Sequence, residues 1–142
     1  PIYVSSLGNK IVTKKKKFKF NDFVQSTYNF KNGAIGKITA NFGCVHKHQH
    51  VVKVFGTKKS FIFDDKGARI FINRDPHESK KIKSTKQLYD GKACLLPKFI
   101  SKISYGKSYS NDIINELNLI SACVFSDQSM LKKKKMKIKY IK

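Results

Sequence analysis

Between Asp22 and Arg74 apolar and polar residues alternate in short runs broken by turn residues, the pattern of strands joined by hairpins. Phe23 to Phe30 is rich in β-branched and aromatic residues, and Asn32-Gly33 follows it. That pair favours a type I′ turn, in which both central residues take positive φ. Ala34 to Cys44 runs back with period 2: Ile38, Ala40, Phe42 and Cys44 fall on one face and Lys37, Thr39 and Asn41 on the other. Val51 to Phe55 is the next strand, turned at Gly56 to Lys59. Ser60 to Phe63 leads through Asp64-Asp65-Lys66-Gly67, with glycine where a left-handed residue is needed, into a strand from Ala68 to Asn73.

Ile2 to Ser6 predicts a further strand ahead of this block, with Gly8-Asn9 as its turn. Lys14 to Lys17 reads as a solvated loop or edge, where lysines also oppose edge-to-edge aggregation. After Arg74 the pattern changes. Asp75-Pro76 breaks the sheet, because proline lacks the ladder N–H. His77 to Lys92 is polar and without period, a long loop with one short strand over Lys86 to Tyr89. Leu96-Pro97 opens a helix with Phe99, Ile100 and Ile103 on its apolar face and Gly106 as its stop. Asn111 caps a longer helix, in which Ile113, Leu117, Ile120 and Val124 recur on one face, the expected core face. Lys132 to Lys135 complements the negative end of that helix. Met136, Ile138 and Tyr140 alternate with lysines as a closing strand. The expected fold is α+β, a largely antiparallel open sheet with helices packed on one face, forming a single domain over residues 1–142.

Composition refines this picture. At 142 residues with 40% hydrophobic content, the chain is that of a globular domain and not of a disordered tail. Its three cysteines, Cys44, Cys94 and Cys123, are odd in number and far apart, without a CxxC, which points to reduced thiols in the cytoplasm. No signal peptide and no apolar run near the ~20 residues of a membrane span is present, so no membrane partner is expected. The chain opens with Pro1, which suggests a processed product or a piece of something longer. The net charge of +21 raises nucleic acid as a partner. Against it, only Arg69 and Arg74 of the 30 basic residues are arginines, whereas base and phosphate recognition favours the bidentate arginine fork. The aromatics are also placed as core residues and not as a stacking platform. No specific nucleic-acid partner is expected, although weak polyanion binding at low salt is.

The chemistry sought is mostly missing. Gly33 and Gly36 sit in a hairpin, the wrong setting for a dinucleotide loop, and Gly56 to Ser60 lacks the order of a P-loop. No GxSxG occurs, and the nine acidic residues form no evident catalytic pair. Cys44, His46, His48 and His50 would share a face if their strand stayed regular. Imidazole and thiolate bind zinc, but alternate residues on a strand are about 7 Å apart, so four in a row cannot hold one ion. The cluster therefore reads as a row of substrate-facing polar groups or as surface or interface histidines, with no metal assigned.

Taken together, Asn32-Gly33-Ala34-Ile35-Gly36, Ala40-Asn41, His46 to His50 and Phe55-Gly56-Thr57 resemble, in order and spacing, the sheet of the C-terminal domain of the Gfo/Idh/MocA oxidoreductases, the glucose-fructose oxidoreductase and inositol dehydrogenase type. Leu96 to Ile103 is similar to that family's short helix, and Asn111 to Leu131 with Lys135 to Tyr140 to its last helix and strand. Lys59 departs from the pattern, standing where the family commonly has glycine. The resemblance implies a parent protein that uses NAD or NADP, with a nucleotide-binding domain outside this chain. It also implies a sugar-like substrate, and a homo-oligomer formed through the open sheet face. The family's catalytic Glu-Lys-Pro and Asp-x-x-x-His motifs do not occur here, so no catalytic or cofactor-binding residue is assigned to this chain. The expected role is the substrate-side and oligomerisation domain of an oxidoreductase transferring hydride at a hydroxyl-bearing carbon. Asn41, His46, His48 and His50 are the candidate substrate contacts. The alternatives are a stand-alone binding or scaffold domain without catalysis and, more remotely, a basic nucleic-acid-binding domain.

Overall fold

A computed structural model describes residues 1–14, 17–75, 79–82, 95–105 and 110–141. The chain divides into two compact units, residues 1–45 with 108–142, and residues 46–107. The fold is α+β: two four-stranded antiparallel sheets and two helices among the described residues.

In the first unit, β1 (Tyr3–Asn9), β2 (Phe23–Asn29), β3 (Ile35–Asn41) and β8 (Met136–Lys137) form a sheet in the order β3-β2-β1-β8. The register places Val4, Tyr28 and Gly36 in one row and Ser6, Ser26 and Ile38 in the next. α2 (Ser110–Lys132) packs over that face. Val4, Tyr28 and Ile138 are the buried apolar residues, joined by the partly buried Ala122, Phe125 and Met136. Between helix and sheet lies a ring of three hydroxyls. Ser6 Oγ donates to Ser26 Oγ at 2.9 Å, and Ser126 Oγ stands 2.7 Å from Ser26 Oγ and 2.9 Å from Ser6 Oγ. A cyclic arrangement lets each hydroxyl donate once and accept once. Ser129 Oγ accepts the Ser6 amide proton at 3.0 Å and donates to the Lys134 carbonyl at 2.7 Å.

The core face of α2 differs from the expected one. Ile113, Leu117, Ile120 and Val124 are exposed, at 55, 38, 56 and 45%. The inward face carries Ala122, Phe125, Ser126, Ser129 and Met130. The strand beneath supplies Val4, Ser6 and Gly8, so small side chains on both sides permit close approach, and the serine hydroxyls find partners there. Gly8 is not a turn but lies inside β1, where an added Cβ would stand 2.8 Å from Met130 Sδ and 2.5 Å from Asn21 Nδ2. The link from β1 to β2 is held by the buried Asp22, whose carboxylate accepts the Thr13 amide at 2.7 Å and hydroxyl at 3.0 Å. The Thr13 amide bond is the main cause that holds the Asp22 carboxyl below its ordinary pKa.

The β2–β3 hairpin also differs in detail. Gly33 takes φ 84°, but Asn32 stays at negative φ, and the Gly33 amide bonds the Phe30 carbonyl at 3.1 Å. This is a three-residue loop, a type I turn completed by a left-handed glycine, and not type I′.

The second unit holds β4 (Val52–Phe55), β5 (Ser60–Asp64), β6 (Gly67–Phe71) and β7 (Ser79–Lys81) in sequential order, with α1 at Leu95–Ser104. The run 22–74 is thus shared between two sheets and does not form one meander. Val52, Val54, Phe61, Phe63, Ala68 and Ile70 share one face of this sheet. Gly67 takes φ 86°, as the Asp64 to Gly67 loop requires. Across that hairpin Arg69 makes two bonds to the Asp64 carboxylate, at 2.8 and 2.7 Å. Chiefly through this contact the Asp64 carboxyl is held at about 2. Phe99, Ile100 and Ile103 of α1 are exposed. The strand expected over Lys86 to Tyr89, the stop at Gly106 and the capping side chain of Asn111 lie outside the described residues.

Candidate functional site

The candidate substrate contacts were expected on one straight strand. β3 instead ends at Asn41, and residues 42–46 bend. Asn41 itself turns the chain: its Oδ1 accepts the Gly43 amide at 2.9 Å and the Cys44 amide at 3.1 Å. A side-chain acceptor two and three residues upstream offers the backbone an alternative to the ladder, and the strand stops there. The alternation that would have put Cys44, His46, His48 and His50 on one face is therefore lost.

All three histidines are exposed. His46 Nδ1 lies 2.9 Å from the Lys47 carbonyl oxygen. The rings of His48 and His50 meet edge to face, with centroids 4.9 Å apart. Lys47 pairs with Asp65 at 2.9 Å, which ties this segment to the β5–β6 hairpin. The structure thus brings His48 and His50 together, while His46 contacts the backbone next to it. Asn41 belongs to the first compact unit and the histidines to the second. Asn41 serves the turn with its carbonyl oxygen, so its amide NH₂ is the group left to meet a ligand hydroxyl. Among the described residues no three His, Cys, Asp or Glu side chains converge as a metal site would need.

A second polar constellation lies at the C-terminal end of α2, where the sequence pointed to the lysine run Lys132 to Lys135 but not to the β1 residues beside it. There a cavity of about 320 Å³ is lined by Ser5, Ser6, Leu7, Gly8, Met130, Lys133, Lys134 and Lys135. The Lys133 amide bonds the Met130 carbonyl at 3.3 Å and the Lys134 amide bonds that of Ser129 at 3.2 Å, closing the helix. Lys133 takes φ 50° at the position that glycine usually fills, and it alone among the described non-glycine residues has positive φ. The Lys135 ammonium stands over the Tyr3 ring, 4.6 Å from its centroid. The signal was the run Lys132 to Lys135 at the end of a helix with no glycine to stop it.

No protein-family model matches this sequence, and no curated protein matches it either. Solved structures do match it in fold. Levoglucosan dehydrogenase in its apo form superimposes with a TM-score of 0.78 at 13% identity, over 99% of this chain and 46% of that one. The complex of levoglucosan dehydrogenase with NADH and levoglucosan gives 0.77 at 14% identity, over 99 and 45%. Its complex with NADH and L-sorbose gives 0.72 at 14% identity, again over 99 and 45%. The chain spans less than half the length of these structures, and the likeness is one of fold.

Proposed function

We propose that this chain is the C-terminal, substrate-side and oligomerisation part of an NAD(P)-dependent oxidoreductase that moves a hydride at a hydroxyl-bearing carbon of a sugar-like substrate. The observation that carries the reading is the superposition of nearly the whole chain on less than half of a sugar dehydrogenase, at a TM-score of 0.78. The resemblance of the Asn32-to-Thr57 segment to the Gfo/Idh/MocA family supports the same reading from the sequence. NAD or NADP belongs to the part of the parent outside this chain. Asn41 offers an amide donor, and His46, His48 and His50 offer imidazoles able to donate to or accept from sugar hydroxyls. The apolar sheet face of Val52, Val54, Phe61, Phe63 and Ile70 is the surface a second copy would cover.

The test is made on the product of the complete reading frame. It is expected to reduce NAD or NADP, followed by nicotinamide absorbance, with a sugar or anhydrosugar as hydride donor. Asn41→Ala and His48→Ala are each expected to lower kcat/KM about 10-fold, the worth of one lost hydrogen bond to substrate. A reading frame with no nucleotide-binding unit ahead of Pro1, and no nicotinamide binding, would sink the proposal. In that case a stand-alone binding domain is what remains.

A further inference from the structure

We propose that the cavity at the end of α2 is a binding site for a multiply charged phosphate group. The site lies wholly within the first compact unit and is independent of the oxidoreductase reading. Three of its eight lining residues are consecutive lysines, and none is acidic. A tetrahedral phosphate suits ammonium groups, which act as point charges and need no planar fork. The edge of β1 adds a backbone donor. β8 covers only Tyr3 and Val4 of that edge. The Ser6 amide is taken by Ser129 Oγ, and the next amide on the same edge is that of Gly8, which lines the cavity.

Two features fix the backbone that carries Lys133 and Lys134 to the cavity rim. Lys133 keeps a left-handed backbone that a side chain resists, whereas the other described residues at positive φ are glycines. A glycine would end the helix with less strain but would bring no charge to the cavity. The turn is also fixed from below, because Ser129 Oγ bridges the Ser6 amide and the Lys134 carbonyl. The negative end of a helix opposes an anion. That opposition is blunted here, since the Met130 and Ser129 carbonyls are already bonded to the Lys133 and Lys134 amides.

The test uses the 142-residue chain and inorganic pyrophosphate in calorimetry at about 150 mM salt, where diffuse attraction is screened. Lys133→Gly is expected to raise the melting temperature by roughly 2–5 °C, by relieving the backbone, while weakening pyrophosphate binding about 3-fold or more. The triple variant K133Q/K134Q/K135Q is expected to lose about 30-fold or more. K31Q/K37Q/K53Q, with the same change of charge on distant strands and turns, is expected to lose less than about 3-fold. A second arm uses phosphatidylcholine vesicles with and without phosphatidic acid. Pyrophosphate binding assigns the site to a soluble phosphate, whereas vesicle binding without it, lost in the same triple variant, assigns it to a lipid headgroup. Equal losses in the two triple variants, unchanged affinity in Lys133→Gly, or no binding in either arm would overturn the proposal.

Discussion

Single residues settle several local outcomes that pattern alone leaves open. Asn41 belongs to a strand by alternation, yet its side chain ends that strand by binding the Gly43 and Cys44 amides. The Asn-x-Gly spacing was the available sign, and hydrophobic periodicity does not register it. Gly8 looked like a turn because glycine commonly marks one; in β1 it is a point of close approach beneath Met130. Gly8→Ala is expected to destabilise the fold by about 1–3 kcal/mol, measured by urea unfolding, because the neighbouring side chains must shift to admit a methyl group. At the β5–β6 hairpin, Asp64 is held at about 2 by Arg69, below the ordinary aspartate value of about 3.9. The folded pKa is the lower one, so the contribution is present above about pH 4 and is lost as pH falls toward 2. Unfolding curves taken across that window are expected to show the loss, and Asp64→Asn is expected to remove this part of the pH dependence.

At the level of elements, periodicity identified every described strand except β7 and both helices, with edges shifted by a few residues. It did so because side-chain alternation reports local geometry directly. It failed on which side of α2 meets the sheet. A stripe of Ile and Leu announces a sticky face without naming what sticks to it, and the sheet below offers Ser6, Ser26 and Gly8, which fit small partners. The hydroxyl ring makes a sharp prediction. Ser126→Ala leaves two buried hydroxyls with one partner fewer each and is expected to cost about 1–3 kcal/mol in chemical denaturation. The triple S6A/S26A/S126A is expected to cost less than the sum of the three single changes, since no orphaned hydroxyl then remains. Strict additivity would show that the ring does not act as a unit.

For the molecule as a whole, the α+β class could be read from the order of strand and helix signals, but the division of strands between two sheets could not. Pairing depends on which edges meet, and a hairpin signal fixes only neighbours. The candidate site was legible only in part. The histidine run was visible, whereas the lysine-lined cavity arises from Ser5 to Gly8 and Met130 to Lys135, over a hundred residues apart in the chain. Large apolar side chains stay uncovered on α1, on the outer stripe of α2 and on β4 and β5. Surfaces of this kind mark association sites. Sedimentation of the chain across a dilution series is expected to show self-association, and Val54→Glu, which sets a charge on the β4 face, is expected to weaken it. A monomer at every concentration would remove the second copy from the reading.

The serine ring also limits how α2 can behave. A seam of plain hydrocarbon lets a helix roll or slip by a notch at little cost, since one methyl serves as well as another. Three hydroxyls that satisfy one another at 2.7 to 2.9 Å accept only one setting. The helix is keyed like a shaft in its slot, so the row from Ile113 to Val124 always presents itself to an incoming surface at the same angle.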